Sequence, residues 1–256
     1  MPKRAARRTV TALTLVVALA LAASASAAPR GRTIADTPIA ALPATCTTAP
    51  TGSSCTNAVV AALDTARTAL GLGPYALPRD FDSLPGTRQL FILVNLDRIA
   101  YGLAPIQGLS PVLATAAQSA IASDVDPDPT DLLASLPSYA WTSDWAGGWA
   151  NAPYAYYEWM YDDGYVGNAT SNVDCTASGA SGCWVHRRNI LAFGRAGTLT
   201  MGAAVAVDER GQTGYAITLV WTPGTAWTSY SYTWAQAQAD GAGATQGSRL
   251  RLSHHR

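Results

Sequence analysis

A pair of alternating apolar segments near the C-terminus places the strongest constraint on the fold. Apolar side chains recur at every second residue over 201–207 and again over 215–221. This two-residue period is typical of strands, and the polar segment DERGQTG between them predicts a β-hairpin with one buried face. The alternating positions are Met201, Ala203, Val205 and Val207, then Tyr215, Ile217, Leu219 and Trp221.

Helical patterns precede the hairpin. Apolar residues recur at helical spacing from Asn57 until Gly71 ends the run, and the apolar run at 87–101 is wide enough for a largely buried helix. Ser110 and Pro111 form a cap with proline at the first helical position. Helices followed by a strand pair predict an α+β fold, or a layered α-β-α arrangement. The predicted helices cover residues 57–70, 87–101, 111–123, 153–162 and 186–192.

An aromatic block between Tyr139 and Val166 contains four tryptophans and six tyrosines. Its first half is interrupted by Gly147 and Gly148 and predicts a loop, whereas its second half contains the predicted helix at 153–162. Exposed rings such as that of Trp149 could stack on sugars, but aromatic side chains are more often part of a core. We therefore expect most of these rings to pack inward.

The N-terminus has the pattern of a secretory signal peptide over residues 1–27. MPKRAARR is basic, TVTALTLVVALALAA is apolar but short, and ASA offers small residues at a cleavage site. No later segment approaches about 18 apolar residues, so we expect a secreted protein without a transmembrane segment. Residues 28–55 and 231–256 have compositions that predict a flexible leader and a disordered tail around a domain at 56–230.

The charge after cleavage excludes two classes of partner. Removing the four basic residues of the signal lowers the formal net charge from 0 to −4 and leaves no lysine. A mildly acidic, lysine-free surface argues against binding to nucleic acid or to an anionic membrane.

The four cysteines predict disulfides, because an exported chain matures in an oxidising compartment. Three pairings are possible, and proximity in the sequence favours Cys46–Cys55 and Cys175–Cys183. A tetrahedral metal site is the alternative, but the chain has no CxxC pair and the two pairs of cysteines lie far apart. Oxidised cysteines could not act as nucleophiles.

An acidic segment, DVDPDPTD, begins at Asp124. Its alternating carboxylates are similar to the start of a calcium loop, but its prolines and its lack of the required Gly and Glu favour a solvated loop.

Only one histidine, His186, precedes the last three residues, and one histidine cannot build a two-His zinc site. Glu158 and Asp162 lie four residues apart on a predicted helix, so their carboxylates would be neighbours. Such a pair can divide acid and base roles, or it can form a half-exposed acidic stripe that pairs with Arg187 or Arg188. We favour the stripe, and we expect no metal and no cofactor.

Two segments resemble motifs of one protein family. In VNLDRIAYGLAP, residues 94–105, the residues Asn95, Arg98, Gly102, Leu103 and Pro105 fit the pattern Asn-x-x-Arg-x-x-x-Gly-Leu-x-Pro. WMYDDG at 159–164 and CWVHRRNIL at 183–191 follow in the order found in bacterial members of the CAP superfamily, also called SCP-like, and Ala117-Gln118 fits between them. The resemblance covers residues 86–221 and implies an α-β-α sandwich with a cleft.

The resemblance also implies which part of the family's site is kept. Members of the family often line the cleft with two His and two acidic residues that can hold a metal. His186 matches the second His and Asp162 matches one acid, whereas the first His falls at about Ala120 and the other acid falls within 147–151, where the chain has none. The match implies that the metal tetrad is lost and that Asp162 faces His186.

These observations predict an extracellular binding or interaction module that acts through a cleft near His186. Its ligand would be a lipid, a glycan or a protein. The alternative is an extracellular hydrolase of cell-wall material or peptides that uses His186 and Asp162 as acid and base. The candidate cleft residues are His186, Asp162, Glu158, Trp149 and Arg187.

Overall fold

The computed structural model describes Cys46 and residues 51–165, 172–224, 227 and 229–244. Within these residues, seven α-helices pack on a five-stranded mixed sheet, which confirms the predicted α+β class. The predicted signal peptide lies outside the described residues. The helices are α1 Ser53–Ala69, α2 Gly86–Ala100, α3 Pro111–Ser123, α4 Thr130–Leu133, α5 Ala152–Tyr161, α6 Val185–Ile190 and α7 Trp234–Ala239, with a 3-10 turn at Phe81–Ser83. The strands are β1 Gly108–Leu109, β2 Ala140–Gly147, β3 Thr198–Val207, β4 Thr213–Thr222 and β5 Tyr232–Thr233.

The sheet has the strand order β2-β4-β3-β1-β5. β3 and β4 form the predicted antiparallel hairpin, with Met201 opposite Leu219. β1 pairs with β3 in parallel and with β5 antiparallel. β2 pairs antiparallel with β4 over its whole length and forms one edge of the sheet.

The prediction of a loop in the first half of the aromatic block was wrong, because that segment is β2. Its pairing partner, β4, lies about seventy residues later in the chain, so local glycine signals are overridden by a distant contact. The glycines that suggested a loop, Gly147 and Gly148, mark where the strand ends.

Helices cover both faces of the hairpin, so the prediction of one buried face was also wrong. On one face α3 lies so close that a Cβ atom added at Gly202 would be 2.5 Å from the carbonyl of Leu113. A Cβ atom at Gly214 would be 2.6 Å from Ile121. On the other face Met201, Ile217 and Leu219 belong to the main core, which also contains buried residues of α1, α2 and α5. The small residues between the large ones therefore allow helix-to-sheet contact.

Helix α5 is buried all round, since each of its ten residues is buried. Its N-cap, Asn151, accepts a hydrogen bond from Tyr154 N at 3.0 Å. The inward packing predicted for most rings of the aromatic block holds for the rings of this helix. The chain leaves this helix at Asp162 and Asp163, beside the edge of the sheet.

Both predicted disulfides, Cys46–Cys55 and Cys175–Cys183, are formed. They are consistent with an oxidising, extracellular location. Cys46 is buried and α1 begins at Ser53, so the folded part starts within the segment predicted as a flexible leader. Among the described residues, no helix combines the length and the apolar character needed to cross a membrane.

The disordered tail was predicted to begin at residue 231, which is too early in the chain. β5 and α7 follow residue 231, and Thr233 and Gln236 form a reciprocal capping box at the start of α7. Tyr232 and Trp234 pack edge-on against Phe91 of α2. Residues 245–256 of the predicted tail lie outside the described residues.

Candidate functional site

The free edge of β2 is closed by side chains from three other segments. Asn189 of α6 donates to Ser143 O at 2.9 Å, and Trp159 Nε1 of α5 donates to Trp145 O at 3.1 Å. The Trp145 N–H is bonded by the carboxylate of Asp126, which lies in the loop after α3. Edge strands expose unpaired backbone groups, and these side chains occupy several of them. The same contacts bring α5, α6 and the Asp126 loop together.

His186 lies at this edge and is held by Asp163. Its Nδ1 donates to Asp163 Oδ1 at 2.7 Å, and the imidazole side chain is 14% exposed whereas Asp163 is completely buried. Asp163 also accepts hydrogen bonds from Asn172 Nδ2 at 2.6 Å and from Arg187 N at 3.2 Å. Because Asp163 occupies Nδ1, Nε2 is the ring nitrogen left for a ligand.

Asp163 also acts as the cap of α6. Trp184, at the N-cap position, has φ 62° and makes no side-chain cap, so the Asp163 carboxylate bonds the helix from outside through Arg187 N. The Trp184 N–H donates to the Asp163 carbonyl at 2.7 Å. The Trp184 ring lies directly over Gly164, where a Cβ atom would be 2.5 Å from Cζ2. Asp163 and Gly164 thus fix the start of the helix that carries His186.

Asp144 is a second buried carboxyl beside this histidine. Asn189, three residues after His186 on α6 and hence on the same face, donates to Asp144 Oδ1 at 2.9 Å. Asp144 Oδ2 is buried and has no hydrogen-bond partner among the described residues. Burial raises the pKa of Asp144 well above its usual value, although the charge of His186 and the Asn189 hydrogen bond lower it.

Opposing effects set the pKa of His186. Burial lowers it, but the hydrogen bond to Asp163 and the charges of Asp144, Asp163 and Asp126 raise it to about 9. Desolvation also raises the pKa of Asp126, against the opposing effects of His186 and the Trp145 N–H. At pH 7 the site therefore presents an imidazolium among carboxyl groups.

The carboxylate that the structure places on His186 is Asp163, the residue after the predicted Asp162. Helix α5 ends at Tyr161, and Asp162 has left the helix with φ −128°. The expected helical pairing of Glu158 with Asp162 assumed one further residue of helix. Glu158 is only 6% exposed, so it is not part of a half-exposed acidic stripe.

Arg187 and Trp149 have structural partners. Arg187 is buried, donates to Met160 O at 3.0 Å and bonds the Tyr101 hydroxyl, so it joins α6 to α5 and to the end of α2. The half-buried Trp149 ring packs edge-on against Tyr154 at 4.9 Å. Among the five predicted cleft residues, His186 has a functional group that is partly exposed and held in a defined orientation.

The residues of the Asn-x-x-Arg motif hold the loops around α6. Asn95 exchanges hydrogen bonds with both backbone groups of Ile106, at 3.3 and 2.6 Å. Arg98 donates to Ala104 O and, at 2.7 Å each, to the carbonyls of Ile190 and Ala192. Burial lowers the pKa of Arg98 to about 10. This part of the motif therefore positions the segment that carries His186 and has no direct role in the site.

Two carboxylates of the acidic segment after α3 have partners within the protein. Asp124 forms an ion pair with Arg210 at 2.7 Å, and Asp128 accepts bonds from Thr130. Among the described residues, no group of three or more His, Cys, Asp or Glu side chains is arranged to hold a metal ion.

Three residues of the site, Asp126, Asp144 and Asp163, were missed by the sequence reasoning. Asp144 was missed because β2 was taken for a loop, and because an aspartate is usually exposed unless it is paired. Asp163 was missed by one residue at a helix end, where boundaries are least certain.

Comparisons of the chain with protein-family models, with curated proteins and with solved structures returned no match.

Proposed function

We propose that this chain is an exported CAP/SCP-like domain that binds an extracellular ligand at His186. The observation that carries the proposal is the pairing of the partly exposed His186 with the buried Asp163 through Nδ1, which leaves Nε2–H as the charged donor for a ligand. Charged donors form stronger hydrogen bonds than neutral ones. The order of the sequence motifs and the helices on both faces of the sheet support the family's α-β-α sandwich.

The charges around His186 favour a neutral, hydroxyl-rich ligand. Asp126 and Asp163 place carboxylates beside the imidazolium, so a ligand phosphate or carboxylate would meet repulsion as well as attraction. A sugar hydroxyl can accept from Nε2–H and donate to a carboxyl oxygen. The net charge of −4 that remains after signal removal also opposes anionic lipid. Among lipid, glycan and protein ligands, we therefore favour a glycan of the cell wall.

Replacing His186 with glutamine should weaken glycan binding. Co-sedimentation of the chain with purified, insoluble bacterial peptidoglycan measures this directly. Loss of a hydrogen bond from a charged group costs about 1.5–3 kcal/mol, which is a loss of affinity of roughly 10-fold to 100-fold.

The control is Arg79→Gln, which removes a cationic side chain from the surface. Arg79 lies in the segment between α1 and α2. In the same segment, Ala76 O accepts a hydrogen bond at 2.8 Å from the N–H of Gly243, which follows α7. That variant should bind like the wild type. Equal binding by wild type and His186→Gln would contradict the site, and sedimentation with phosphatidylglycerol vesicles but not with peptidoglycan would contradict the ligand class.

The hydrolase remains the second candidate, because a carboxylate on Nδ1 is also how a catalytic histidine is oriented. With the pKa of His186 at about 9, the imidazolium would act as a general acid at neutral pH. Release of soluble fragments from peptidoglycan by the wild type, and its loss in His186→Gln at a temperature where that variant remains folded, would favour this candidate over binding alone.

A further inference from the structure

The disulfide loop, defined here as residues 172–184 with the Cys175–Cys183 bond within it, contacts Asp163 at both of its ends. Before the first cysteine, Asn172 donates to Asp163 Oδ1 at 2.6 Å and to Gly182 O at 2.9 Å. After the second cysteine, Trp184 N donates to the Asp163 carbonyl at 2.7 Å. The carboxylate that holds His186 is therefore itself held by the loop.

The two arms of this loop pass each other closely beside the disulfide. A Cβ atom at Gly182 would be 2.1 Å from the carbonyl oxygen of Asp174, so only glycine allows this approach. Arg188 of α6 donates to Cys183 O at 2.8 Å and to Ser181 O at 2.9 Å, which ties the second arm to the helix of His186. Without the covalent bond, the close approach of the arms would have to be maintained by these hydrogen bonds alone, against the conformational entropy of the loop.

We propose that formation of the Cys175–Cys183 disulfide switches on the His186 site, because it fixes the loop that holds Asp163 against the imidazole. The reduced chain, as it exists before export, would lack an ordered partner for His186. The proposal concerns regulation of the proposed binding site, and its functional consequence rests on that function. The coupling between the loop and His186 does not depend on any ligand.

The chemistry is thiol–disulfide exchange. The two thiols lose two protons and two electrons in forming the S–S bond, and an external disulfide of a small thiol or of an oxidoreductase accepts them and is reduced to two thiols. Both cysteines are buried in the folded chain, so exchange is expected during folding and the oxidised state is then retained.

The other disulfide provides a matched control. Cys46–Cys55 anchors the start of α1, and Asn151 Nδ2 contacts Cys55 Sγ at 3.0 Å. The two bonds close loops of similar size, with sequence separations of 9 and 8 residues, so they should constrain the unfolded chain about equally. They differ in that Cys175–Cys183 lies in the loop that contacts Asp163, whereas Cys46–Cys55 lies at the start of α1.

The test is an NMR pH titration of the His186 ring in the full chain, with His254 and His255 replaced by glutamine so that one histidine reports. In the wild-type cysteine background and in Cys46→Ser/Cys55→Ser, the midpoint should lie near 9. In Cys175→Ser/Cys183→Ser it should fall by about 1 pH unit or more, because burial then acts without the ordered carboxylate. An unchanged midpoint, or an equal fall in both double variants, would overturn the proposal.

A second variant decides the question if Cys175→Ser/Cys183→Ser does not fold. Asn172→Ala leaves the disulfide in place and removes the hydrogen bond from the loop to Asp163. A smaller fall of the His186 midpoint in the same direction supports the coupling, and an unchanged midpoint overturns it. Because no ligand is present, a failure of peptidoglycan binding would leave this result intact.

Discussion

Replacing Asp97 with asparagine should lower the free energy of unfolding by about 3–5 kcal/mol, the usual cost of breaking a buried ion pair by removing one partner. Asp97 of α2 is completely buried and forms an ion pair with Arg67 of α1, whose side chain is 6% exposed. Its carboxylate also accepts hydrogen bonds from Tyr75 at 2.5 Å, from Tyr156 at 2.6 Å and from Tyr161 at 2.9 Å.

The size of the effect follows from what remains in the variant. The guanidinium of Arg67 would stay buried without a counter-charge, and three phenols would compete for one amide oxygen. Burial raises the pKa of Tyr75, Tyr156 and Tyr161, so these phenols stay protonated and cannot replace the lost charge. Because the cluster joins α1, α2 and α5, the loss should be felt as cooperative unfolding of the domain.

Urea unfolding followed by tryptophan fluorescence measures this change. Asp131→Asn provides the control, since Asp131 is an exposed carboxylate in the first turn of α4. It should stay within about 0.5 kcal/mol of the wild type, as is usual for surface substitutions. An Asp97→Asn variant as stable as this control would show that the buried pair does not hold the helices together.

The second large effect is a loss of stability as the pH rises through the titration of His186. The pKa of His186 is about 9 in the folded chain, against about 6.5 for an unperturbed histidine. A raised pKa means that the folded state binds the proton more tightly, so the contribution is fully present below pH 6.5. It is lost as the pH rises to about 9, and it amounts to on the order of 3 kcal/mol. The raised pKa of Asp144 acts in the same direction, over the range that begins at more acidic pH.

Comparison of the wild type with a His186 variant isolates the contribution of this histidine to the pH dependence of stability. The free energy of unfolding of the wild type minus that of His186→Gln should decrease by on the order of 3 kcal/mol between pH 6 and pH 10. Asp163→Asn should flatten the dependence, because it removes the hydrogen bond and the charge that raise the pKa of His186. A difference between wild type and His186→Gln that does not change with pH would contradict the assignment.

The features predicted correctly from the sequence depend on local signals. The cap at Ser110, the proline that follows it and the alternation in β3 and β4 each involve neighbouring residues. The disulfides were predicted from proximity because both pairs close short loops. Such signals specify the type of an element without its tertiary partners.

The features that were missed depend on distant contacts or on a single residue. β2 becomes a strand through pairing with β4, and the C-terminal segment is ordered by packing of Tyr232 and Trp234 on Phe91. The capping box of Thr233 and Gln236 was a local signal that could have marked α7. At the site, helix α5 ends one residue earlier than predicted, and the partner of His186 is Asp163 instead of Asp162.

The midpoint of the His186 titration in the wild-type chain tests the central claim most directly, because the proposed ligand contact is an imidazolium held by Asp163. Carbon-13 NMR of the ring, with His254 and His255 replaced, follows protonation without a ligand or an assay. We expect a midpoint near 9 and a fully protonated ring at pH 7. A midpoint at or below about 6.5, the ordinary value for histidine, would contradict the account.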